Sequence, residues 1–315
     1  MGVTTKFMSK KIFFIFSVIC MGFLYASPDS KTVLIFGGNT GWFGQKIIQI
    51  LDEQGHKGIG ARSRLENREE IIRELEEVKP DFIINAAGVT GRPNIDWCED
   101  HKEDTIRANI IGCLNLADIA WQRGIHLTNI GTGCLYDYDE EHPKGSGSGF
   151  TEEDEPNHFT SFYCESKVYL EKLLLRYDNV LNLRVRMPVS FDFHPRNFII
   201  KITTYERVIN EPNSLSVLED LLPIAVDMTL KGRKGNYNFA NPGSISHNEI
   251  LDLYRAYIDK DFTYQNFTVE EQDKILKAGR SNCELDVSKL LQEYPNIPSI
   301  KDSILRAIQE MQKDL

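Results

Sequence analysis

The chain has 315 residues, of which 41% are hydrophobic and 26% charged, so it can bury the core of one large domain with a smaller lobe. Its formal net charge of −10 at pH 7 argues against a nucleic-acid partner, because proteins that bind that polyanion concentrate Lys and Arg on one face. A small anionic ligand is compatible with this charge, since a few local arginines can hold it.

The first thirty residues combine lysines with an apolar segment. Lys6, Lys10 and Lys11 precede the apolar residues 12–26, a pattern typical of a signal peptide or a short membrane anchor. The segment is shorter than the about 20 apolar residues of a membrane span, and Met8 and Met21 are alternative starts. We expect a cytoplasmic protein. The alternative is a membrane-anchored or secretory-pathway protein, with membrane contact only if this segment is retained.

From residue 31 onward, short β-rich runs alternate with helical periods. Strands are predicted at 32–38, 58–61, 81–87, 126–132 and 180–186, and helices at 41–54, 66–77, 103–122 and 162–176. Strand–helix–strand repetition predicts parallel strands joined by right-handed crossovers. The predicted fold class is therefore α/β, with a doubly wound sheet of at least five parallel strands.

The second half of the chain is less regular. The polar residues 137–160 are predicted to form a long active-site loop. A helix at 215–231 and a strand at 236–240 are expected to return to the sheet, and Ser246 and Glu249 form a capping box that opens another helix. The predicted main domain comprises residues 31–189 and 214–241, and the smaller C-terminal substrate lobe comprises 190–213 and 242–315.

Three glycines follow the first predicted strand. Gly38, Gly41 and Gly44 form a G-x-x-G-x-x-G pattern that opens a helix, the context in which such a pattern binds a dinucleotide. Glycines there let backbone N–H groups approach the pyrophosphate at the positive end of the helix. We predict a Rossmann-type NAD(P) site, with a tight turn that binds no ligand as the alternative. Its predicted residues are Gly38, Asn39, Thr40, Gly41, Trp42, Phe43, Gly44, Ala86 and Ala87.

Two arginines follow the second predicted strand. An NAD site usually has an acidic residue there, which holds the ribose hydroxyls, but this chain has Arg62 and Arg64 and no carboxylate. Because guanidinium pairs with phosphate through two hydrogen bonds, a 2′-phosphate is the better partner. The prediction is NADPH in preference to NADH, unless both arginines are simply solvated.

A catalytic trio is predicted at the next two elements. Tyr163 and Lys167 lie four residues apart at the start of a predicted helix, so the phenol and the ammonium share one face. An adjacent cation lowers the pKa of a phenol from its ordinary value of about 10. Thr132 ends the preceding strand, and its hydroxyl can point at the same carbonyl group. These residues predict carbonyl reduction.

Longer motifs complete the pattern. They are NAAGVTGRPNIDWC at 85–98, TGC at 132–134, RVRMP at 184–188, PRNFI at 195–199 and RSNCELD at 280–286. Together with Tyr163 and Lys167 they resemble the extended short-chain dehydrogenase/reductase family, in its dTDP-4-dehydrorhamnose reductase branch. The resemblance is strongest to UDP-4-keto-6-deoxyglucose 3,5-epimerase/4-reductases, and it spans about residues 32–305.

The resemblance implies an enzyme that converts UDP-4-keto-6-deoxy-D-glucose to UDP-L-rhamnose with NADPH. It implies that Cys134 and Lys201 move the protons of epimerisation, the alternatives being a buried core thiol and an exposed helix lysine. The candidates for substrate contact are Thr90, Arg92, Asn197 and Arg280. Asn109 is expected to fix its helix against the active site.

Other readings stay open. One is a dTDP-4-dehydrorhamnose reductase without epimerase activity. Another is a non-catalytic subunit similar to the β subunit of methionine adenosyltransferase, against which the intact trio argues. A homodimer is possible, as is usual in the family. No metal site is predicted, because Cys98 and His101 have no second pair at zinc-like spacing, and the six scattered cysteines are expected to be reduced thiols.

Overall fold

The computed structural model describes residues 1–2 and 29–315, and the predicted N-terminal apolar segment lies outside the described residues. The strands are β1 Thr32–Phe36, β2 Lys57–Gly60, β3 Phe82–Asn85, β4 His126–Thr132, β5 Val180–Val185, β6 Arg207–Val208, β7 Pro212–Asn213, β8 Gly235–Phe239, β9 Ile245–Ser246 and β10 Gln265–Asn266. The helices are α1 Trp42–Glu53, α2 Arg68–Val78, α3 Trp97–Asp100, α4 Lys102–Ile106, α5 Gly112–Gln122, α6 Phe162–Leu174, α7 Phe198–Thr203, α8 Leu218–Leu230, α9 His247–Tyr257, α10 Val269–Asp273, α11 Ser288–Glu293 and α12 Ile300–Lys313. A π-helical segment, Arg107–Ile111, joins α4 to α5. Among the described helices, none has the length and apolar character required to span a bilayer.

Six parallel strands form the central sheet, in the order β2-β1-β3-β4-β5-β8. The chain leaves β1 toward one edge of the sheet and returns through β3 toward the other. In open α/β sheets this reversal leaves a crevice at the carboxyl ends of the strands, where ligands bind. The predicted α/β fold with a doubly wound Rossmann-type sheet is confirmed.

Both faces of the sheet are buried. Along β1, Leu34 and Phe36 join a core shared with α2, α5 and α6, while Val33 and Ile35 join a core shared with α1 and α8. This alternation follows from the two-residue period of a strand. Each core is therefore built from one side of the strands and from the apolar face of the helices above it.

A separate apolar core is formed by residues that follow β5 in the chain. It includes Ile199 and Ile202 of α7, Ile250 of α9 and Ile304 of α12. By contrast, Leu290 of α11 packs with Leu183 of β5, so this part of the predicted C-terminal lobe lies against the sheet. The division into a main domain and a substrate lobe stays a prediction.

Two predicted helices differ in detail from those observed. The helix predicted at 215–231 begins at Leu218, and Leu215 and Val217 are buried in the apolar core that contains residues of α7, α9 and α12. The helix predicted at 103–122 contains the π-helical segment. The predicted capping box of Ser246 and Glu249 opens α9 as expected.

Candidate functional site

The turn between β1 and α1 requires glycine at several of its positions. Gly37 has a φ of +83°, in the left-handed region that glycine adopts without strain. A side chain at Gly44 would collide with the Gly37 carbonyl oxygen and would lie 2.7 Å from the Gly38 Cα. Gly41 is the N-cap of α1 and has no side chain to cap the first turn. The first N–H groups of α1 are therefore suited to an anionic ligand such as a pyrophosphate.

Side chains around this turn fix it to neighbouring elements. Asn39 Nδ2 donates to the Ala61 carbonyl oxygen at 2.8 Å, which ties the turn to the end of β2. Trp42 is buried, and its Nε1 donates to Asp192 Oδ2 at 3.3 Å. Phe43 packs into the apolar core. The side chains of Trp42 and Phe43 thus hold the loop, which leaves main-chain groups for the predicted cofactor contact.

A buried carboxylate organises the loop after β2. Glu74 of α2 is 4% exposed and accepts hydrogen bonds from the backbone N–H groups of Arg62 (2.8 Å) and Ser63 (2.9 Å) and from the Ser63 hydroxyl. Burial raises the pKa of Glu74, but these hydrogen bonds outweigh burial and hold it below its ordinary value. Sequence reasoning missed Glu74, because nothing in the local pattern marks it.

The two predicted phosphate-binding arginines differ in their surroundings. Arg62 Nη2 lies 2.6 Å from Glu77 Oε2, whereas Arg64 is 78% exposed with a longer contact of 3.4 Å to Glu66. Arg64 also lines an open cavity of about 520 Å³, together with Arg68 and Arg107. Arg64 is therefore the freer of the two for binding an anion.

The predicted trio comes together at the carboxyl end of β4. The Tyr163 phenol is hydrogen-bonded to Thr132. Lys167 Nζ lies 5.8 Å from the centroid of the Tyr163 ring, as expected for residues four apart on α6. Lys167 is 8% exposed, and Ser161 caps the helix that carries both residues. The site thus presents a hydroxyl, a phenol and an ammonium group on adjoining elements.

Burial controls the protonation of this trio. It raises the pKa of Tyr163, and the hydrogen bond with Thr132 only partly offsets the rise. Burial also lowers the pKa of Lys167. The lysine was expected to lower the phenol pKa, but in this structure burial raises it. The phenol stays protonated, which is the form that donates a proton to a carbonyl oxygen undergoing reduction.

The π-helical segment is hydrogen-bonded to the chain segment after β3, residues 86–90, which passes close to Lys167. Asn109 Oδ1 accepts from the Val89 N–H and its Nδ2 donates to the Val89 carbonyl oxygen, both at 2.8 Å. A side chain at Gly88 would lie 3.6 Å from Lys167 Nζ. The predicted role of Asn109 in fixing its helix against the site is confirmed. Ala86 and Ala87 lie at the start of this segment and are half-buried.

Cys134 and Lys201 lie near each other at the same site. The Cys134 N–H donates to Thr132 Oγ1 at 3.2 Å, and the thiol is near enough to Tyr163 and Lys201 for their charges to interact. Burial lowers the pKa of Lys201, and Arg280 lowers it further. Lys201 is half-buried rather than fully exposed. The arrangement places two groups able to exchange protons beside the trio.

The predicted substrate contacts divide into two kinds. Thr90 and Arg92 are exposed, while Arg280 Nη2 is paired with Asp96 Oδ1 at 2.9 Å. Asn197 is completely buried: its Nδ2 donates to the carbonyl oxygens of Ser190 and Asp192, and its Oδ1 accepts from the Ile199 N–H. The structure places Asn197 at the N-cap of α7, and its predicted contact with substrate stays a prediction.

Known proteins are similar to most of this chain. The RmlD substrate binding domain family matches residues 31–223. The chain is 50% identical over 289 residues to a bifunctional dTDP-4-dehydrorhamnose 3,5-epimerase/dTDP-4-dehydrorhamnose reductase of Arabidopsis thaliana, covering 91% of this chain and 96% of that one. It is 52% identical over 278 residues, 88% of this chain, to a trifunctional UDP-glucose 4,6-dehydratase/UDP-4-keto-6-deoxy-D-glucose 3,5-epimerase/UDP-4-keto-L-rhamnose-reductase of the same plant, of which it covers 41%.

Solved structures agree with these matches. The UDP-rhamnose synthase of Acanthamoeba polyphaga mimivirus superposes with a TM-score of 0.85 and 39% identity, covering 90% of this chain and all of that one. A dTDP-4-dehydrorhamnose reductase of Bacillus anthracis in complex with NADP superposes with a TM-score of 0.74 at 19% identity, covering 89% and 98% of the two chains. The second likeness concerns the fold alone.

Proposed function

Since the chain belongs to the RmlD substrate binding domain family, we propose that it is a bifunctional 3,5-epimerase/4-keto-reductase that converts UDP-4-keto-6-deoxy-D-glucose to UDP-L-rhamnose with NADPH. The observation that carries the proposal is the meeting of two sets of groups at one site. Thr132, Tyr163 and Lys167 suit reduction, and Cys134 and Lys201 suit proton exchange. The 50% identity to a bifunctional relative supports the same conclusion.

Reduction requires an acid at the carbonyl oxygen. The glycine turn Gly38–Gly44 would hold NADPH, which would supply the hydride for C4 of the sugar. Tyr163 donates a proton to the C4 oxygen, and Thr132 orients that oxygen through its hydroxyl. Lys167 is placed to bind the cofactor ribose and to stabilise the phenolate that remains after proton donation.

Epimerisation uses the same ketone. The protons at C3 and C5 are acidic because they lie next to the C4 carbonyl, and their removal gives an enolate whose oxygen Thr132 and Tyr163 can stabilise. Cys134 removes a proton from one face of the ring, and the Lys201 ammonium returns one on the other face. The lowered pKa of Lys201 brings its proton transfer closer to neutral pH.

The cofactor preference is testable through the two arginines. Replacing both Arg62 and Arg64 with alanine is expected to raise the Michaelis constant for NADPH by about 10-fold or more, because a charged hydrogen-bonding partner of the 2′-phosphate is lost. The Michaelis constant for NADH should hardly change. Of the single variants, Arg64→Ala should have the larger effect, since Arg62 is already paired with Glu77. The exposed Arg176→Ala serves as the control, and equal losses with both cofactors would contradict the assignment.

Product analysis tests the function directly. The full chain is incubated with UDP-4-keto-6-deoxy-D-glucose and NADPH, and the expected product is UDP-L-rhamnose, formed with one NADPH oxidised per sugar. The dTDP sugar is assayed in parallel to establish which base is preferred. A 6-deoxy sugar reduced at C4 without inversion at C3 and C5 would indicate a reductase alone. No NADPH oxidation with either sugar would refute the enzymatic proposal.

Homodimer formation and a cytoplasmic location stay predictions.

A further inference from the structure

Two buried arginines near the end of β5 differ in one respect. Arg184 and Arg186 are two residues apart and are 2% and 0% exposed. Arg184 is paired with Glu171 through contacts of 2.6 Å and 3.1 Å. Arg186 donates only to uncharged acceptors: the Gly133 carbonyl oxygen at 3.2 Å, the Ser281 hydroxyl and carbonyl oxygens at 3.0 Å and 2.7 Å, and Asn213 Oδ1. No salt bridge within residues 29–315 includes Arg186, and its Nε lacks a hydrogen-bond partner there.

Burying a guanidinium without an acidic partner lowers the stability of a fold. A buried charge is costly unless an opposite charge accompanies it, and removing one member of a buried ion pair typically costs about 3–5 kcal/mol. The neighbouring Arg184 is paired with the Glu171 carboxylate, so a buried arginine of this strand can be compensated by an acidic partner. A charge left uncompensated in a poorly polarisable interior acts strongly on nearby ionisable groups instead.

The charge of Arg186 is directed at the segment that carries Cys134. Its Nη1 hydrogen bond is to Gly133, the residue between Thr132 and Cys134. Several thiols lie within its electrostatic range, but Cys164 and Cys283 are 1% and 0% exposed, whereas Cys134 is half-buried and interacts electrostatically with Lys201. Of these thiols, Cys134 is therefore the one that a substrate can reach.

We propose that Arg186 is a positioning residue for epimerisation, whose unpaired charge fixes the Gly133 carbonyl and stabilises Cys134 as the thiolate. This proposal rests on the proposed function of Cys134. In the step concerned, the thiolate takes a proton from C3 or C5 and becomes a thiol. The electron pair of the broken C–H bond moves toward the C4 carbonyl and gives the enolate. Loss of the Arg186 charge leaves less of the reactive base at neutral pH.

Other ionisable groups also face this pair from the surrounding elements. They are Tyr163 and Cys164 of α6, Lys201 of α7, His247 of α9, Asp137 and Tyr138 of the loop after β4, and Arg280 and Cys283 of the C-terminal segment. Because these groups remain in place in every variant below, a change in Cys134 ionisation between variants reports the altered charge of Arg186 and its partner at position 213.

The test measures Cys134 ionisation in two kinds of variant. One removes the Arg186 charge, and the other places an opposite charge beside it. The full chain is alkylated with iodoacetamide over a range of pH, and the Cys134 peptide is quantified by mass spectrometry. Arg186→Gln removes the charge, while Asn213→Asp keeps the arginine and places a carboxylate where Asn213 Oδ1 already accepts from Arg186. Both should raise the midpoint pH of Cys134 alkylation by about one unit. Arg186→Lys, which retains a positive charge, should stay nearer the wild type than Arg186→Gln.

A matched control stands beside the other arginine. Asn238 Oδ1 accepts from Arg184 at 3.3 Å, so Asn238→Asp adds a carboxylate to an arginine that is already paired. This variant should leave the Cys134 midpoint unchanged. Solvent-deuterium incorporation at C3 and C5 should slow by up to about tenfold at pH 7 in Arg186→Gln and Asn213→Asp, in parallel with the loss of thiolate.

The outcomes separate this proposal from the function on which it rests. An unchanged midpoint in the folded Asn213→Asp variant, or equal shifts in Asn213→Asp and Asn238→Asp, would overturn the role of Arg186. If Arg186→Gln does not fold, Asn213→Asp decides alone, because it keeps every atom of the arginine in place. A raised midpoint together with wild-type deuterium exchange would overturn the part of the proposal that concerns epimerisation, by showing that Cys134 is not the base.

Discussion

Replacing Tyr163 with phenylalanine is expected to lower the rate of 4-keto reduction by about 10²- to 10⁴-fold, the usual contribution of a general acid. The aromatic ring and its packing against Lys167 are retained, and only the proton donor is lost. Cofactor affinity should therefore change little. Single-turnover NADPH oxidation measures the chemical step, and quenching of protein fluorescence by NADPH measures binding.

The same helix offers a control for this substitution. Tyr169 lies on α6 but is 52% exposed, and its hydroxyl donates to Glu165 on the surface. Tyr169→Phe should reduce the ketone at the wild-type rate. If Tyr163→Phe also kept nearly full activity, the acid would have to be another group, and the assignment built on the Thr132 hydrogen bond would be wrong.

Cys134→Ser and Lys201→Met are expected to separate epimerisation from reduction. In deuterated water the wild type should place solvent deuterium at C3 and C5 of the product. Each variant should lower that exchange by about 10²-fold or more, because a group that moves a ring proton is missing. Nuclear magnetic resonance and mass spectrometry of the purified sugar nucleotide locate and quantify the label.

A substrate that already has the product configuration at C3 and C5 isolates the second reaction. Both variants should reduce this 4-keto-rhamnose nucleotide, since Thr132, Tyr163 and Lys167 are intact. Lys277→Met, at an exposed lysine paired with Asp100, controls for the loss of a surface charge. Exchange at both carbons at the wild-type rate in either variant would make that residue structural.

Local patterns predicted the nucleotide-binding half of the site well. The alternation of strands and helices and the glycine spacing depend on neighbouring residues, and they located β1, α1 and the turn between them to within two residues. The four-residue spacing of Tyr163 and Lys167 fixed their common face in the same way. Gly37 was missed, although two adjacent glycines after a strand are a usable signal for a left-handed residue.

Features that depend on distant contacts could not be predicted from the sequence. The hydrogen bonds of Arg186 join residues 27 to 95 positions apart, and no local pattern reveals that its partners are uncharged. The same holds for the pairing of Arg280 with Asp96. The protonation of Tyr163 was misjudged for a related reason: the neighbouring lysine can be read from the sequence, but the extent of burial cannot.

The hydrogen bond from Trp42 to Asp192 bears on how chimeric enzymes can be built from this scaffold. Lys46 of α1 also contacts Asp192, at 2.9 Å, so the first two turns of α1 are joined to the loop from which Asn197 starts α7. A donor segment carrying residues 190–213 would therefore bring α7 in the correct orientation only if its loop supplies an acceptor for Trp42. Recombination at this boundary should preserve Trp42, Lys46 and Asp192 as a unit, even though 150 positions separate Trp42 from Asp192.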